Sequence, residues 1–351
     1  MDNQEILDII RGYGIDGFSE KNEIDSTHGD DFRLNIIIDK KYVLRINNAV
    51  MTEERLDSID RLAERYRSIG VLTPRLLKNK SGNYLTTHAD HVCYVSEYLD
   101  FALLAENEEE TDEEPNDETN KETNEEINEA LNDENVEETI RKEVLHSIGR
   151  FSKLFSNVDL SEVMSMWSII DLAPLDVDID EKQENLNLLI KYLNENGELE
   201  LAQEIEQFND TVRERIKSVY KELPRCVIQG DLNPANILIK DGHFIGLIDF
   251  NLAGTEVNVN HFCCETNEEI HEEDFAEKEA DVIYEEWIKE QQTMLDVILS
   301  EYPLNDMEKT AINDYRRICR ISMFPNVMSF IEYLKRDKEK MKTILRRIIS
   351  E

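Results

Sequence analysis

Two β-prone runs bracket a set of polar residues whose types and spacing could do chemistry. The stretch reads Val227-Ile228-Gln229-Gly230-Asp231-Leu232-Asn233-Pro234-Ala235-Asn236-Ile237-Leu238-Ile239, then a Lys240-Asp241-Gly242 turn, then Phe244-Ile245-Gly246-Leu247-Ile248-Asp249-Phe250. Asp231 and Asn236 flank one short loop, five residues apart. Strand pairing across the turn would bring Asp249 back beside them. Phosphate transfer to an alcohol needs such a set. A carboxylate orients the attacking hydroxyl and takes its proton, and hard oxygen ligands hold the Mg²⁺ that the nucleotide phosphates require. The plain alternative is a structural hairpin with incidental polar residues.

The elements that must position this set fall into two groups. Upstream, Glu5–Arg11 has the pattern of a short helix, and Arg33–Ile38 and Tyr42–Ile46 of strands joined at Asp39-Lys40-Lys41. A helix follows with Leu56, Ile59, Leu62, Ala63, Tyr66 and Ile69 on one face, Thr52 as its N-cap and Gly70 as its stop. Arg75–Leu77, Tyr84–Thr87 and His91–Ser96 read as further strands. Downstream the pattern is helical over Glu138–Phe155, Lys182–Asn194, Leu199–Tyr220 and Asp281–Leu299, with two more helices at the C-terminal end. A small antiparallel sheet followed by a helical half predicts an α+β chain of two lobes with a cleft between them. The expected division is 1–99, an acidic low-complexity insertion over 100–138, and a helical part over 139–351 that carries the Asp231 loop.

Composition narrows the partners. Lys and Arg total 39 against 77 Asp and Glu, a formal net charge of -38 over 351 residues. Such a surface repels nucleic acid and anionic lipid, so neither is expected as a partner, and it attracts cations. Five cysteines do not make a disulfide framework and fit a reducing cytoplasm. No apolar run is long enough to cross a membrane, and the acidic start Met-Asp-Asn-Gln-Glu is unlike a secretory signal. From Glu106 to Glu138 there are seventeen Asp or Glu and one Lys, with too few apolar residues to offset the entropy of ordering; the stretch reads as a flexible insertion or loose helix. Glu265–Glu286 is also acidic, with eleven Asp or Glu and one Lys, but its apolar residues suggest a charged helix with one buried face.

Three other signals lack their context. Gly12-Tyr13-Gly14-Ile15-Asp16-Gly17 matches a dinucleotide fingerprint but follows a helix rather than a strand, so it reads as a helix-ending turn. Ser26-Thr27-His28-Gly29-Asp30-Asp31 is better placed for a phosphate loop, although its acidic residues would oppose phosphate. Cys263 and Cys264 near His261 and His271 do not have zinc-ligand spacing.

The Gln229–Phe250 block resembles the catalytic segment of the aminoglycoside phosphotransferase and choline kinase group, whose fold is protein-kinase-like. That group carries His-Gly-Asp, four residues, Asn, and later Ile-Asp followed by an aromatic. The resemblance implies Asp231 as catalytic base, Asn236 and Asp249 as Mg²⁺ ligands, and ATP or GTP as phosphate donor. Tyr42-Val43-Leu44-Arg45-Ile46 resembles the family's strand with the phosphate-contacting cation, which would be Arg45. Val95-Ser96-Glu97-Tyr98-Leu99 resembles the hinge, so Ser96 and Tyr98 are expected to meet the adenine through their main chain. Three departures stand out. Gln229 replaces the family's His and would support the loop by hydrogen bonding. Ile59 occupies the place of the acidic partner of the strand cation, with Glu54 and Asp60 nearest. Asn258 or Asn260 stands where a later Asp is usual. In the family the acceptor lies between the catalytic base and the large-lobe helices, so Glu265–Glu286 would form a wall that favours a neutral or cationic small-molecule alcohol, such as an amino sugar or amino alcohol. A nucleotide-binding pseudokinase serving as scaffold or sensor is the other reading.

Overall fold

A computed structural model describes residues 1–27, 29, 32–48, 51–104, 134–160, 163–173 and 178–351. The acidic insertion lies outside the described residues from 105 to 133, as do His28, Asp30 and Asp31 of the phosphate-loop candidate. The chain forms two compact units. One comprises Met1–Ile140 with Asp231–Asn251, the other Arg141–Gly230 with Leu252–Glu351. The Asp231–Asn251 segment therefore falls in one compact unit with the N-terminal strands, whereas the sequence reading assigns it to 139–351.

In the first unit, helix α1 (Asn3–Ile10) starts at a capping box in which Asp2 and Glu5 satisfy each other's backbone N–H groups. Its Ile6, Ile9 and Ile10 pack against Ile36, Ile38 and Leu44 of the sheet. It ends in a tight turn over Arg11–Tyr13 with Gly14 in the left-handed region at φ +83°. The Gly12–Gly17 run is thus the end of a helix. The sheet has the order β1-β2-β3-β5-β4, all antiparallel: β1 Lys21–Asp25, β2 Arg33–Ile38, β3 Tyr42–Asn47, β4 Thr86–His88 and β5 His91–Glu97. Strand β1 has no counterpart in the sequence reading. Its sequence, Lys-Asn-Glu-Ile-Asp, lacks apolar alternation because it is an edge strand whose side chains stay mostly in water. Helix α2 (Glu53–Ser68) begins as expected at Thr52, which accepts the Arg55 N–H, and is followed by Gly70 at φ +88°. The expected strand Arg75–Leu77 makes only an isolated bridge, Leu76 to Ser96, beside Pro74, which has no N–H to give a ladder.

A second, three-stranded sheet in this unit joins β6 (Ala102–Leu103), β8 (Ile237–Lys240) and β9 (His243–Leu247). Asp241 and Gly242 both have positive φ, 52° and 74°, the geometry of a two-residue hairpin turn. Leu72 fastens this hairpin: its N–H donates to the Ile245 carbonyl and its carbonyl accepts from Leu247, both at 2.8 Å. The approach is so close that a Cβ on Gly246 would lie 2.4 Å from the Leu72 oxygen.

The second unit is helical around one two-stranded pair, β7 (Arg225–Ile228) with β10 (Gly254–Val257). Three helices close the chain, not two: Asp306–Ser322, Phe324–Arg336 and Lys338–Ser350. The breaks have local causes. Pro325 falls in the first turn of the middle helix, and the Asp337 side chain accepts the Lys340 N–H at the start of the last. The acidic stretch Glu265–Glu286 is also not one helix; it spans the end of Asn258–Glu265, all of Glu272–Glu277 and the start of Ala280–Glu301. No described helix is long and apolar enough to cross a membrane.

The Gly246 contact yields a stability test. Gly246→Ala should lower the free energy of unfolding in urea by about 1–3 kcal/mol, the usual cost of forcing an atom into a packed site. Gly12→Ala, which meets nothing within 4 Å, should change it by less than about 0.5 kcal/mol.

Candidate active site

The β7 strand leads into Gln229, which is fully buried, and Gly230, whose φ is +87°. A side chain at 230 would meet the Leu252 carbonyl at 2.2 Å, so only glycine fits before Asp231. The loop then turns on itself through Pro234–Asn236, with the Asn236 N–H donating to the Asn233 carbonyl at 2.9 Å. Both carboxylate oxygens of Asp231 receive amide donors from this loop: Asn233 Nδ2 at 2.8 Å and Asn236 Nδ2 at 2.9 Å. Asn236 Nδ2 also reaches the Asp231 main-chain oxygen at 3.0 Å. With its nitrogen used in this way, the oxygen of the Asn236 amide is the atom it has to offer a cation.

The hairpin brings Asp249 to the same end. Ile237 pairs with Leu247, and the Ile248 N–H donates to the Asn236 carbonyl at 3.0 Å. Asp249 itself has φ +51°, an uncommon conformation for a residue other than glycine, and its Oδ1 accepts the Asn251 N–H at 3.1 Å. Its Oδ2 lies 3.5 Å from Arg45 Nη1. Arg45 sits on β3 opposite Tyr94 of β5. Burial alone would lower the Arg45 guanidinium, but the Asp249 carboxylate and the Tyr94 hydroxyl outweigh it and hold the group above its ordinary value. Burial pushes the Tyr94 phenol up; its hydroxyl donates to Asn251 Oδ1 at 3.2 Å. Arg55 of α2 donates to the Asn251 carbonyl at 3.0 Å.

Arg45, Ser96 and Asp249 line one cavity of about 30 Å³, with Ile59 of α2 on its wall. That placement answers the question of the strand cation's partner. Ile59 offers no charge, Glu54 is exposed, and Asp60 is engaged by the Tyr84 hydroxyl at 2.9 Å and by Arg67 at 3.8 Å. The carboxylate beside Arg45 is Asp249. Tyr98 stands two residues beyond Ser96, and its N–H donates to the Lys41 carbonyl at 2.8 Å. Asn233 and Asn251 are site residues that the sequence reading passed over. The signal for each was an Asn two residues after an Asp, a spacing at which the Asp carboxylate bonds locally, to the Asn233 side chain in one case and the Asn251 N–H in the other.

Elsewhere, Asn258 and Asn260 are buried in the second unit. Asn258 Nδ2 donates to Ser156 at 2.8 Å and Tyr302 at 3.1 Å, and Asn260 Nδ2 to the Trp167 carbonyl at 2.8 Å. All five cysteines are buried free thiols. Six of the eleven carboxylates of the acidic stretch pair with four Lys or Arg of its own unit. Glu268 pairs with Arg141, Glu272 with Arg336, Asp274 and Glu286 with Lys278, and Asp281 and Glu285 with Arg347. Glu273, Glu277 and Glu279 point into water.

Comparison with known proteins bears on the family and the fold. No curated protein matches the chain significantly in sequence. The spectinomycin phosphotransferase APH(9)-Ia, solved with ADP and spectinomycin, is 10% identical with a TM-score of 0.50, covering 100% of this chain and 98% of that one. An amicoumacin kinase in complex with AMP-PNP, Ca²⁺ and Ami is 13% identical with a TM-score of 0.46, covering 100% and 93%. The family model described as "Phosphotransferase enzyme family" matches residues 28–256, a span that runs from the first sheet through the Asp231–Asp249 hairpin to β10. The chain belongs to the phosphotransferase enzyme family.

Proposed function

We propose that this protein transfers the γ-phosphate of ATP or GTP to a hydroxyl group of a small molecule, with Asp231 as the base. The observation that carries the reading is the convergence at one hairpin end of Asp231, Asn236 and Asp249, with Arg45 paired to Asp249 at 3.5 Å. The two amides that hold the Asp231 oxygens fix the orientation of the carboxylate, and orientation is most of what a kinase base supplies. Asn236 and Asp249 offer an amide oxygen and a carboxylate, the hard donors that suit Mg²⁺. Bound there, Mg²⁺ would neutralise charge on the phosphate oxygens. Arg45, beside Asp249, would share that work. Gln229, fully buried, would support the loop by hydrogen bonding. Ser96 and Tyr98 would meet the base of the nucleotide through their main chain, in the case of Tyr98 through its carbonyl, since its N–H serves the sheet.

The acceptor is a neutral or cationic alcohol. With most of the Glu265–Glu286 carboxylates paired, this preference rests on the field of the whole molecule, a net charge of -38, rather than on that segment.

Asp231→Asn should lower turnover about 10²- to 10⁴-fold while leaving nucleotide affinity within about twofold, since a base acts in the transition state. Turnover near wild type would remove Asp231 from the base role. Asp249→Ala should instead weaken nucleotide binding in the presence of Mg²⁺ and leave metal-free binding little changed, as read by calorimetric titration with and without metal. A phosphate-transfer screen over aminoglycosides, choline, homoserine, sugars and nucleosides should favour uncharged or cationic alcohols. Preference for a carboxylated or phosphorylated acceptor would overturn the charge argument and leave the phosphotransferase assignment standing.

A further inference from the structure

Gly230, the residue before the base, is held on both sides. The Leu252 carbonyl crowds its Cα, and the Trp167 indole Nε1–H donates to its carbonyl oxygen at 2.7 Å. The donor is itself held at three points. The Trp167 N–H donates to Ser165 Oγ at 3.1 Å, and the Trp167 carbonyl accepts from Lys182 Nζ at 2.6 Å and from Asn260 Nδ2 at 2.8 Å. Lys182 and Asn260 are 1% and 0% exposed. Ser165 is anchored in turn, its N–H donating to the Thr255 carbonyl of β10 at 2.9 Å. Three residues on, Ile170 has φ +78°, a costly conformation for a β-branched residue and one that persists only where the surroundings impose it. Burying an ammonium is also costly. A loop that only filled space would need neither a buried Lys on its carbonyl nor a strained Ile.

We infer that Trp167 is a positioning residue for Asp231, acting through the Gly230 carbonyl; the inference rests on the base role proposed above for Asp231. The 230–231 peptide plane sets the direction in which the Asp231 side chain leaves the backbone. The indole bond holds that plane at the Gly230 carbonyl, and the Asn233 and Asn236 amides hold the carboxylate itself. Neither alone suffices, because a carboxylate tied only to its own loop moves with that loop. Without the indole donor the peptide is free to tilt, and a displacement of about 1 Å at a reacting group costs about 10²-fold in rate.

The test is Trp167→Phe in the full chain, which keeps a ring and removes the donor. Turnover of Mg·ATP and Mg·GTP is measured with the best alcohol from the screen, or with water as acceptor. The expected result is a kcat lower by about 10- to 100-fold, with the nucleotide KM within about twofold and the melting temperature within ~4 °C. Unchanged kcat overturns the inference. So does a joint loss of melting temperature and nucleotide KM, which marks Trp167 as merely structural. Asp231→Asn run beside it separates the two readings. If that variant retains turnover, the base role falls and the inference with it; if it is inactive while Trp167→Phe is unaffected, only the inference falls. Hydrogen exchange of the indole N–H in the wild-type protein decides the matter should Trp167→Phe fail to fold. Trp167 and Trp287 are the only two indoles in the chain, and Trp287→Phe identifies the signal. Strong protection of the Trp167 N–H is expected, and exchange at the rate of free indole overturns the bond on which everything here depends.

Discussion

The contact of Leu72 with Gly246 is the constraint on which the site depends. Two main-chain hydrogen bonds of 2.8 Å fasten the β8–β9 hairpin to the passage that leaves α2. Because position 246 has no side chain, backbone meets backbone there. That hairpin carries Asn236 at one of its inner ends and Asp249 at the other. Seated in this way, it belongs to the same compact unit as β3, and Asp249 at its end reaches Arg45, although about two hundred residues separate the two in sequence.

The charge arrangement follows from that seating. Arg45 faces into a small, mostly apolar cavity, where an unpaired guanidinium would be costly. The Asp249 carboxylate and the Tyr94 hydroxyl compensate it, and Ile59 makes up part of the apolar wall. Asp249 keeps about a third of its side chain exposed. The same carboxylate thus stabilises the arginine and, in the proposed reaction, would be a metal ligand. Strain marks this point of the chain as well, since Asp249 is held at positive φ by its bond to the Asn251 N–H and by the strand before it.

Acidity is distributed differently. The Glu265–Glu286 stretch looks in sequence like a negative wall, yet Arg141, Arg336, Arg347 and Lys278 pair with six of its eleven carboxylates. Surface pairs of this kind contribute little stability singly. Their effect here is to convert a patch of one sign into a mixed surface. The remaining excess of negative charge belongs to the chain as a whole and acts at long range, within the screening length of the solution.

Much of the site was legible in sequence because it is local. Asp231 and Asn236 bond to each other across five residues, and the Asp-Gly turn closes the hairpin between Asn236 and Asp249, so their spacing carried the pattern. The first sheet and α2 were legible for a related reason: one buried face leaves a period of 2 or 3.6 in the sequence, and Thr52 and Gly70 mark the ends of the helix. What lacked such a period went unread. Edge strand β1 buries too little to show one, and the breaks between the last three helices hang on single capping residues. Tertiary structure alone decided the partner of Arg45, because Glu54, Asp60 and Asp249 are equally acidic in a sequence. Only the seating of the hairpin sets which carboxylate comes within 3.5 Å, and only the docking of Ser165 on β10 brings the Trp167 indole to Gly230.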